Sequence, residues 1–393
     1  MGSYIVRRLL LVPLVLWGTA TLLFFLSYGG PGDTARKIAG PTYQNRPLPP
    51  QLREQIEEKY GLDEPLVQRY FAYMGKLVTG DLGVSNESGD DVSDIAGRTF
   101  AASFRLAFWA LLIEVAVGIG AGMLSAVRTT RRWPTSVPVR TGDRGTADDP
   151  DDPDHPDAFF DVDDVDVDDE PEKTPWWAWR PKPRVTKGAY TFADGAITLL
   201  TIAAGAVPVF VMGYLLIEVF AIWPAQQGWP HLPTNGIGPD TWVLGVIPTG
   251  DQWRYLILPA ITLAMVETAI VARVTRSSLI EASKMDYIRT ARAKGIAERR
   301  VTVKHGLRTA LIPVVTLIGI DAGVLLGSAV LTETVFNWPG MGSEIATAVQ
   351  NQDVPVIVGL SMIVVVAYVV INLGVDLSYA WLDPRVRLGK DTP

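Results

Sequence analysis

Arg289, Arg292, Lys294, Arg299, Arg300 and Lys304 crowd into one short stretch, SKMDYIRTARAKGIAERRVTVKHGLRTALIP over residues 283–313, set between two long apolar runs. Guanidinium and ammonium groups at that density grip a partner's carboxylates, phosphates or carbonyls. They equip a surface for docking rather than for breaking bonds. A second set of reactive groups lies inside the apolar runs: Glu114, Glu218, Glu267, Asp321 and Asp376. An ionised carboxylate at mid-bilayer costs about 2.5 to 3.5 kcal/mol, so each is expected to face protein or a watery path. Glu267 and Asp321 sit deepest in their runs and are the candidate path residues. A neutral or hydrogen-bonded structural carboxyl, or one near the interface, is the competing assignment for each.

Several other chemistries have no equipment here. The chain has no cysteine, so it has no disulfide framework and no thiolate metal site. His155, His231 and His305 are too far apart in sequence to make a metal-ligand pair at helical spacing, and no metal is expected. Gly75-Lys76 is followed by Leu77 and Gly389-Lys390 by Asp391, so neither forms the glycine-rich phosphate loop that ends in Lys-Ser or Lys-Thr. No Ser/His or metal-ligand constellation falls on facing apolar runs, which argues against a membrane-embedded enzyme.

The elements that must hold these groups are long. Of 393 residues 48% are hydrophobic, and they gather into blocks rather than amphipathic stripes. A span needs about 20 mainly apolar residues, and candidates cover 9–28, 106–127, 196–223, 256–274, 310–331 and 354–373. An all-α polytopic membrane protein with six transmembrane helices follows. The first block is too long for a signal peptide, and Tyr28-Gly29-Gly30-Pro31 lacks a small-x-small cleavage site, so it reads as a retained helix. Arg7 and Arg8, then Arg128, Arg131 and Arg132, the bases from Arg273 to Arg308, and Arg385, Arg387 and Lys390 all fall on one side, placing both termini in the cytoplasm. The external loop 29–105 exceeds the ~60 residues over which charge sets topology. Within it, 52–60 and 65–78 have helical spacing, and Asp63-Glu64-Pro65 suits a helix start, so a folded external cap is expected. Asn86-Glu87-Ser88 there is a glycosylation sequon, a pattern more often unused than used.

Between the second and third spans the composition changes. Residues 143–172 hold fifteen of the 42 acids but one of the 35 bases, so the rest of the chain is net basic. That composition predicts a disordered, self-repelling cytoplasmic tether, and the excess of Asp over Glu suits a salty cytoplasm, as in a halophile. Asp161, Asp163 and Asp166 lack the glycine and spacing of a calcium loop. Trp176, Trp177 and Trp179, followed by Arg180, Lys182, Arg184 and Lys187, are expected to return the chain to the membrane surface.

In the basic stretch itself, Ser283 and Asp286 have the spacing of a capping box. Met285, Ile288 and Ala291 share one helical face, and Gly295 after Lys294 reads as a left-handed stop. A second short helix is expected over 298–305, ending at Gly306. The bases would then project from a knob of two short helices lying along the membrane. Charge bias and attraction to anionic lipid would also produce a basic loop, and charge alone does not separate the two.

The order of residues does separate them. DYIRTARAKGIAERRVTVKHGLRTALIPVVT, 286–316, resembles without a gap the cytoplasmic coupling loop of permease subunits of ATP-binding-cassette importers, in the dipeptide/oligopeptide/nickel branch. Arg273-Val-Thr-Arg276-Ser-Ser-Leu-Ile-Glu281, Glu333-Thr-Val-Phe336-Asn-Trp338-Pro339-Gly340-Met-Gly342 and Asp383-Pro384-Arg385-Val386-Arg387-Leu388 are similar to further motifs of that branch. Pro31-Gly32-Asp33, Tyr60-Gly61-Leu62-Asp63 and Gly80-Asp81-Leu82-Gly83 resemble its first-permease, B-type subunit. His305-Gly306-Leu307-Arg308-Thr309 departs from the usual R-H-A-L-R-N, and the acidic insert has no counterpart.

The resemblance implies a type I ABC importer permease architecture in the cell membrane. Apolar runs, charge bias and composition divide the chain into a first helix (1–28), an external loop (29–105), a second helix (106–127), a cytoplasmic insert with its return (128–192) and a core of helices three to six (193–393) carrying the coupling loop (276–308). The resemblance adds the partners. It implies pairing with a second permease, two cytoplasmic ATPase subunits that hold the ATP and magnesium, and an external binding protein, with no nucleic acid involved. By position in the motif, Asp286, Tyr287, Arg289, Thr290, Ala291, Arg292, Ala293, Lys294 and Gly295 would dock on an ATPase. Glu333, Phe336, Trp338, Pro339 and Gly340 form a candidate outer gate or, as readily, a reentrant turn capping the bundle. Cargo would be di- or oligopeptides, with nickel chelates or sugars as relatives' alternatives. The intramembrane carboxylates support a rival, a proton-coupled secondary transporter.

Overall fold

The computed structural model describes residues 2–28, 35–36, 39, 47–60, 64–130, 206–239 and 242–382. The acidic insert, the tryptophan and base cluster after it, the start of the third apolar run, Pro31-Gly32-Asp33, Gly61-Leu62-Asp63, the side chain of Asp376 and the closing Asp383–Leu388 motif lie outside the described residues.

The described chain is helical apart from one small hairpin. In order run α1 (Gly2–Tyr28), α2 (Pro50–Tyr60), α3 (Leu66–Val78), α4 (Val92–Thr130), α5 (Val209–Gln226), the paired strands β1 (Trp242–Val243) and β2 (Ile247–Pro248), α6 (Gln252–Ala282), α7 (Asp286–Ala293), α8 (Glu298–Val335), α9 (Met341–Asn351) and α10 (Val354–Leu382). Five of these helices, α4, α5, α6, α8 and α10, are long and apolar enough to cross a membrane. The apolar part of α1 between Leu10 and Leu26 is 17 residues, just under the same length. A polytopic helical membrane protein is thus what the chain builds.

Two wide turns interrupt the regular helices. In α5 the turn covers Glu218–Ile222 and leads into Pro224, whose missing N–H cannot continue the ladder, so a looser turn absorbs the break. In α8 the turn covers Val301–Gly306 and passes directly into Leu307, so the helix break expected at Gly306 does not occur. Gly306 is instead buried, and a Cβ there would lie 3.2 Å from Leu279 Cδ1.

The core joins α4, α6 and α8 through Leu106, Ala110, Leu256, Leu263, Leu325 and Ala329, closed at one end by Trp338. Toward the other end α4 and α6 cross closely because Gly118 and Gly122 present no side chain. A Cβ at Gly118 would stand 2.7 Å from Val271 Cγ1, and one at Gly122 2.6 Å from Thr275 Cβ. Small residues four apart give packing where lipid offers no hydrophobic drive for helix association.

Helix α4 begins at Val92, well inside the segment read as external loop. Asp94, Arg98 and Arg105 hid it from a search for apolar runs. Its first turns are nonetheless held by protein, since Val92, Ile95 and Ala96 pack on Ala348, Val356 and Leu360. Beside them a turn closed by the bridge Val84–Asp91 is pinned to the α9–α10 junction: Asp353 accepts hydrogen bonds from Ser85 Oγ at 2.5 Å and Asn86 N at 3.2 Å. The β1–β2 hairpin docks nearby, where Arg105 Nε donates to Gly245 O at 2.8 Å and Trp109 Nε1 to Val246 O at 2.8 Å.

Helix ends therefore sort into two faces. The end of α1, the starts of α4, α6 and α10, the end of α8 and all of α9 share one face, and α7 lies at the other.

Candidate functional site

The basic stretch folds into a small foot. Ser283 does not cap α7: it ends α6, with its hydroxyl donating to Ile280 O at 2.7 Å. The α7 N-cap is Met285, in extended conformation and without a side-chain cap bond. The expected capping box is therefore absent, because α6 runs long enough to claim the serine. Of the face expected to be apolar, Ile288 and Ala291 are buried against Val301, with Ile296 packed beside them, while Met285 is exposed. Burying a side chain the size of Ile288 contributes about 1.5 to 3 kcal/mol, enough to seat a helix of two turns.

The end of α7 is set by Gly295 at φ +74°, the left-handed conformation expected of it. Ile296 N–H reaches back to Ala291 O at 3.3 Å and Gly295 N–H to Arg292 O at 2.9 Å, a paired closure that satisfies two otherwise orphaned carbonyls. Across that turn Arg292 grips Glu298 with two nitrogens, Nη2 to Oε1 at 2.7 Å and Nε to Oε2 at 3.1 Å. Tyr287 Oη donates to Thr309 Oγ1 at 2.8 Å, tying α7 to the stem of α8.

The foot thus has an inner and an outer side. Ala291 is buried and Arg292 is engaged inward, whereas Asp286, Tyr287, Arg289, Thr290, Ala293, Lys294 and Gly295 are exposed, as are Arg299, Arg300 and Lys304. Glu298 and Thr309, the two residues that lock the foot, carried no signal at helical spacing in the sequence. They became evident once the left-handed turn at Gly295 had folded the chain back.

The Glu333–Gly342 motif lies at the opposite end. Glu333 is fully buried, accepting from Ser103 Oγ at 2.5 Å and from Ser343 N at 3.0 Å, so one carboxylate joins α8, α4 and α9. Trp338 is fully buried too and donates Nε1–H to Ala102 O at 3.0 Å. Ser103 Oγ also accepts from Met341 N at 2.8 Å, and Ser343 Oγ donates to Trp338 O at 2.7 Å. Phe336 is buried beside Leu258 and Ile217. Gly340 stands against the Glu333 carboxylate, which leaves no room for a Cβ. Pro339 alone of the five candidate gate residues is exposed. The motif is a turn packed into the helix bundle.

The intramembrane carboxylates divide likewise. Glu114 is fully buried and Asp321 nearly so, and the two lie close enough to Glu267 for all three to interact electrostatically. They come from α4, α8 and α6. Glu267 is half-buried, while Glu218 is exposed on the wide turn of α5. Glu114 bears no mark of this position in its own helix, because nothing in a single helix reveals which face another helix covers. Among the described residues no cluster of histidine and acid side chains has the geometry of a metal site.

Comparison with known proteins gives the family. Residues 188–388 match the profile described as "Binding-protein-dependent transport system inner membrane component", and residues 1–105 match the N-terminal component of the same systems. The chain is 32% identical over 388 residues to the "Glutathione transport system permease protein GsiC" of Escherichia coli (strain K12), covering 98% of this chain and 99% of that protein. The GsiC proteins of Shigella dysenteriae serotype 1 and Shigella flexneri serotype 5b match to the same extent. Family membership decides against a proton-coupled carrier. The chain belongs to the binding-protein-dependent transport system inner membrane components, as a multi-pass permease subunit of an ATP-binding-cassette importer of the peptide branch whose ATP hydrolysis resides in partner subunits.

Proposed function

We propose that α7 is a rigid lever through which two cytoplasmic ATPases, holding ATP and magnesium, drive this permease against a second, similar one. The carrying observation is that the foot is stiffened by its own contacts. Arg292–Glu298, Tyr287–Thr309 and the closure at Gly295 hold it to α8, leaving Tyr287, Arg289, Thr290, Ala293 and Lys294 as the outward face. A stiff short helix transmits a rotation; a loose basic loop can only adhere. Six spans, with α1 as the first, put both termini on the foot's side, the cytoplasm.

In this reading the Glu333–Trp338 motif is the fixed frame of the outer end, and the outer gate acts by moving around it, with Pro339 on the rim. Glu267 faces the path, and Asp321 and Glu114 back it. An external binding protein delivers the cargo. Small peptides are the cargo class, supported by relatives named for glutathione transport. Purification of the assembled importer from native membranes tests the composition: a second permease and two ATPases are expected, and recovery of this chain without an ATPase contradicts it.

A further inference from the structure

Helix α3 has more apolar surface than the protein covers. Val67, Phe71, Met74 and Val78 follow one another at the i, i+4, i+7, i+11 spacing of a helical stripe. Val67 is 64%, Phe71 67% and Val78 88% exposed. The neighbouring face is taken: Tyr70 Oη lies 2.8 Å from Thr21 Oγ1, and the Tyr70 and Tyr73 rings meet Phe24 at 5.4 and 5.3 Å. Gln68 and Ala72 are exposed away from the stripe, and Arg69, Ala72 and Lys76 border an open cavity of about 430 Å³ between α1, α3 and the start of α10.

Position decides what covers the bare stripe. The apolar part of α1, Leu10–Leu26, spans about 26 Å at the helical rise, close to the thickness of a hydrocarbon core. Thr21, Phe24 and Phe25 lie in its last turns, so α3 is attached at the depth where that span leaves the bilayer. Leu22, Phe25 and Leu26 of α1 are themselves exposed, and the Phe25 ring stacks beside Tyr70 at 6.3 Å. The stripe on α3 continues that surface. Tyrosines and bases flanking an apolar edge are the composition of a helix lying in a membrane interface.

We propose that α3 lies in the leaflet opposite the foot, with Val67, Phe71 and Val78 dipped among acyl chains and Gln68 and Ala72 in water. The occupant is lipid. It makes the outer end of α1 a two-point anchor, one helix across the bilayer and one along its surface. The inference rests on α1 being a span, and the experiment separates the two.

The chain's lack of cysteine makes single labels specific. A maleimide fluorophore is placed at Val67→Cys, Phe71→Cys, Val78→Cys, Gln68→Cys or Ala72→Cys, with Leu14→Cys on the exposed face of α1 as reference. Each variant is assembled into the importer in nanodiscs whose lipids carry a spin-label quencher at a shallow or a deep acyl carbon. The proposal expects loss of fluorescence at 67, 71 and 78, greater with the shallow quencher, with 68 and 72 unaffected and 14 quenched by the deep one. Quenching at 14 but not at 67, 71 and 78 overturns it while leaving α1 as a span. Protection of those three positions by added binding protein, without lipid quenching, overturns it in favour of a protein partner. No quenching at any position, Leu14→Cys included, removes the span itself and the proposal with it.

Discussion

Tyr287 donates its hydroxyl hydrogen to Thr309 across 2.8 Å, joining an exposed residue of the foot to the stem of α8 below it. Substituting Tyr287→Phe keeps the ring and removes only the bond. A net hydrogen bond contributes about 0.5 to 1.5 kcal/mol, so uptake per ATP hydrolysed should fall by between about twofold and tenfold. Membrane insertion and subunit recovery should be unchanged. The check is parallel assay of uptake and hydrolysis in proteoliposomes.

Arg292 is expected to tolerate no replacement that loses its fork. Arg292→Lys retains charge but not the two parallel bonds to Glu298, and Arg292→Ala also removes the contact to Ser283 O at 3.4 Å. Both should loosen the foot, alanine more than lysine. The double exchange Arg292→Glu with Glu298→Arg should recover part of the coupling if the pair acts as a strut. Coupling ratios of wild type, Arg292→Glu, Glu298→Arg and the double exchange, set in a double-mutant cycle, measure this.

At Gly295 the backbone sits where L-residues pay about 1 to 2 kcal/mol, while open space surrounds its missing Cβ. Gly295→Asn, which accepts that conformation best, should retain most coupled uptake. Gly295→Asp adds a negative charge to the docking face and should leave insertion intact while uncoupling hydrolysis from transport. Equal, normal uptake by both would remove this glycine from the mechanism.

Glu333→Ala should destabilise rather than uncouple. It leaves the buried Ser103 hydroxyl hydrogen and the half-buried Ser343 N–H without their acceptor, at up to about 1 to 3 kcal/mol for each unsatisfied donor. Glu333→Gln keeps an acceptor oxygen and should be milder. Thermal unfolding of the purified importer in detergent should rank wild type above Gln and Gln above Ala.

Particular residues show how far the sequence could be read. The stop at Gly295 and the apolar blocks were legible because each rests on local physics: one left-handed residue, or twenty consecutive apolar ones. The start of α4 at Val92 was not, since the burial that holds it comes from Val356 and Leu360, far along the chain. Ser283 misled because the same side chain can start one helix or finish another, and α6 packs well enough to keep it. The partners of Glu333, at Ser103 and Ser343, and the meeting of Glu114 with Asp321 depend on how helices are arranged around each other. No spacing rule within one helix encodes that.

An ATPase seated on the outward face of α7 must lie within reach of a cysteine placed at Thr290. Thr290 is exposed beside Arg289, and its hydroxyl donates only to Asp286 O within its own helix, at 3.0 Å. In the otherwise cysteine-free chain, a short bifunctional crosslinker at Thr290→Cys should capture an ATPase subunit in native membranes, with a yield that changes when nucleotide is added. A crosslink that forms only to lipid or to the second permease, or none in any nucleotide state, would contradict the account.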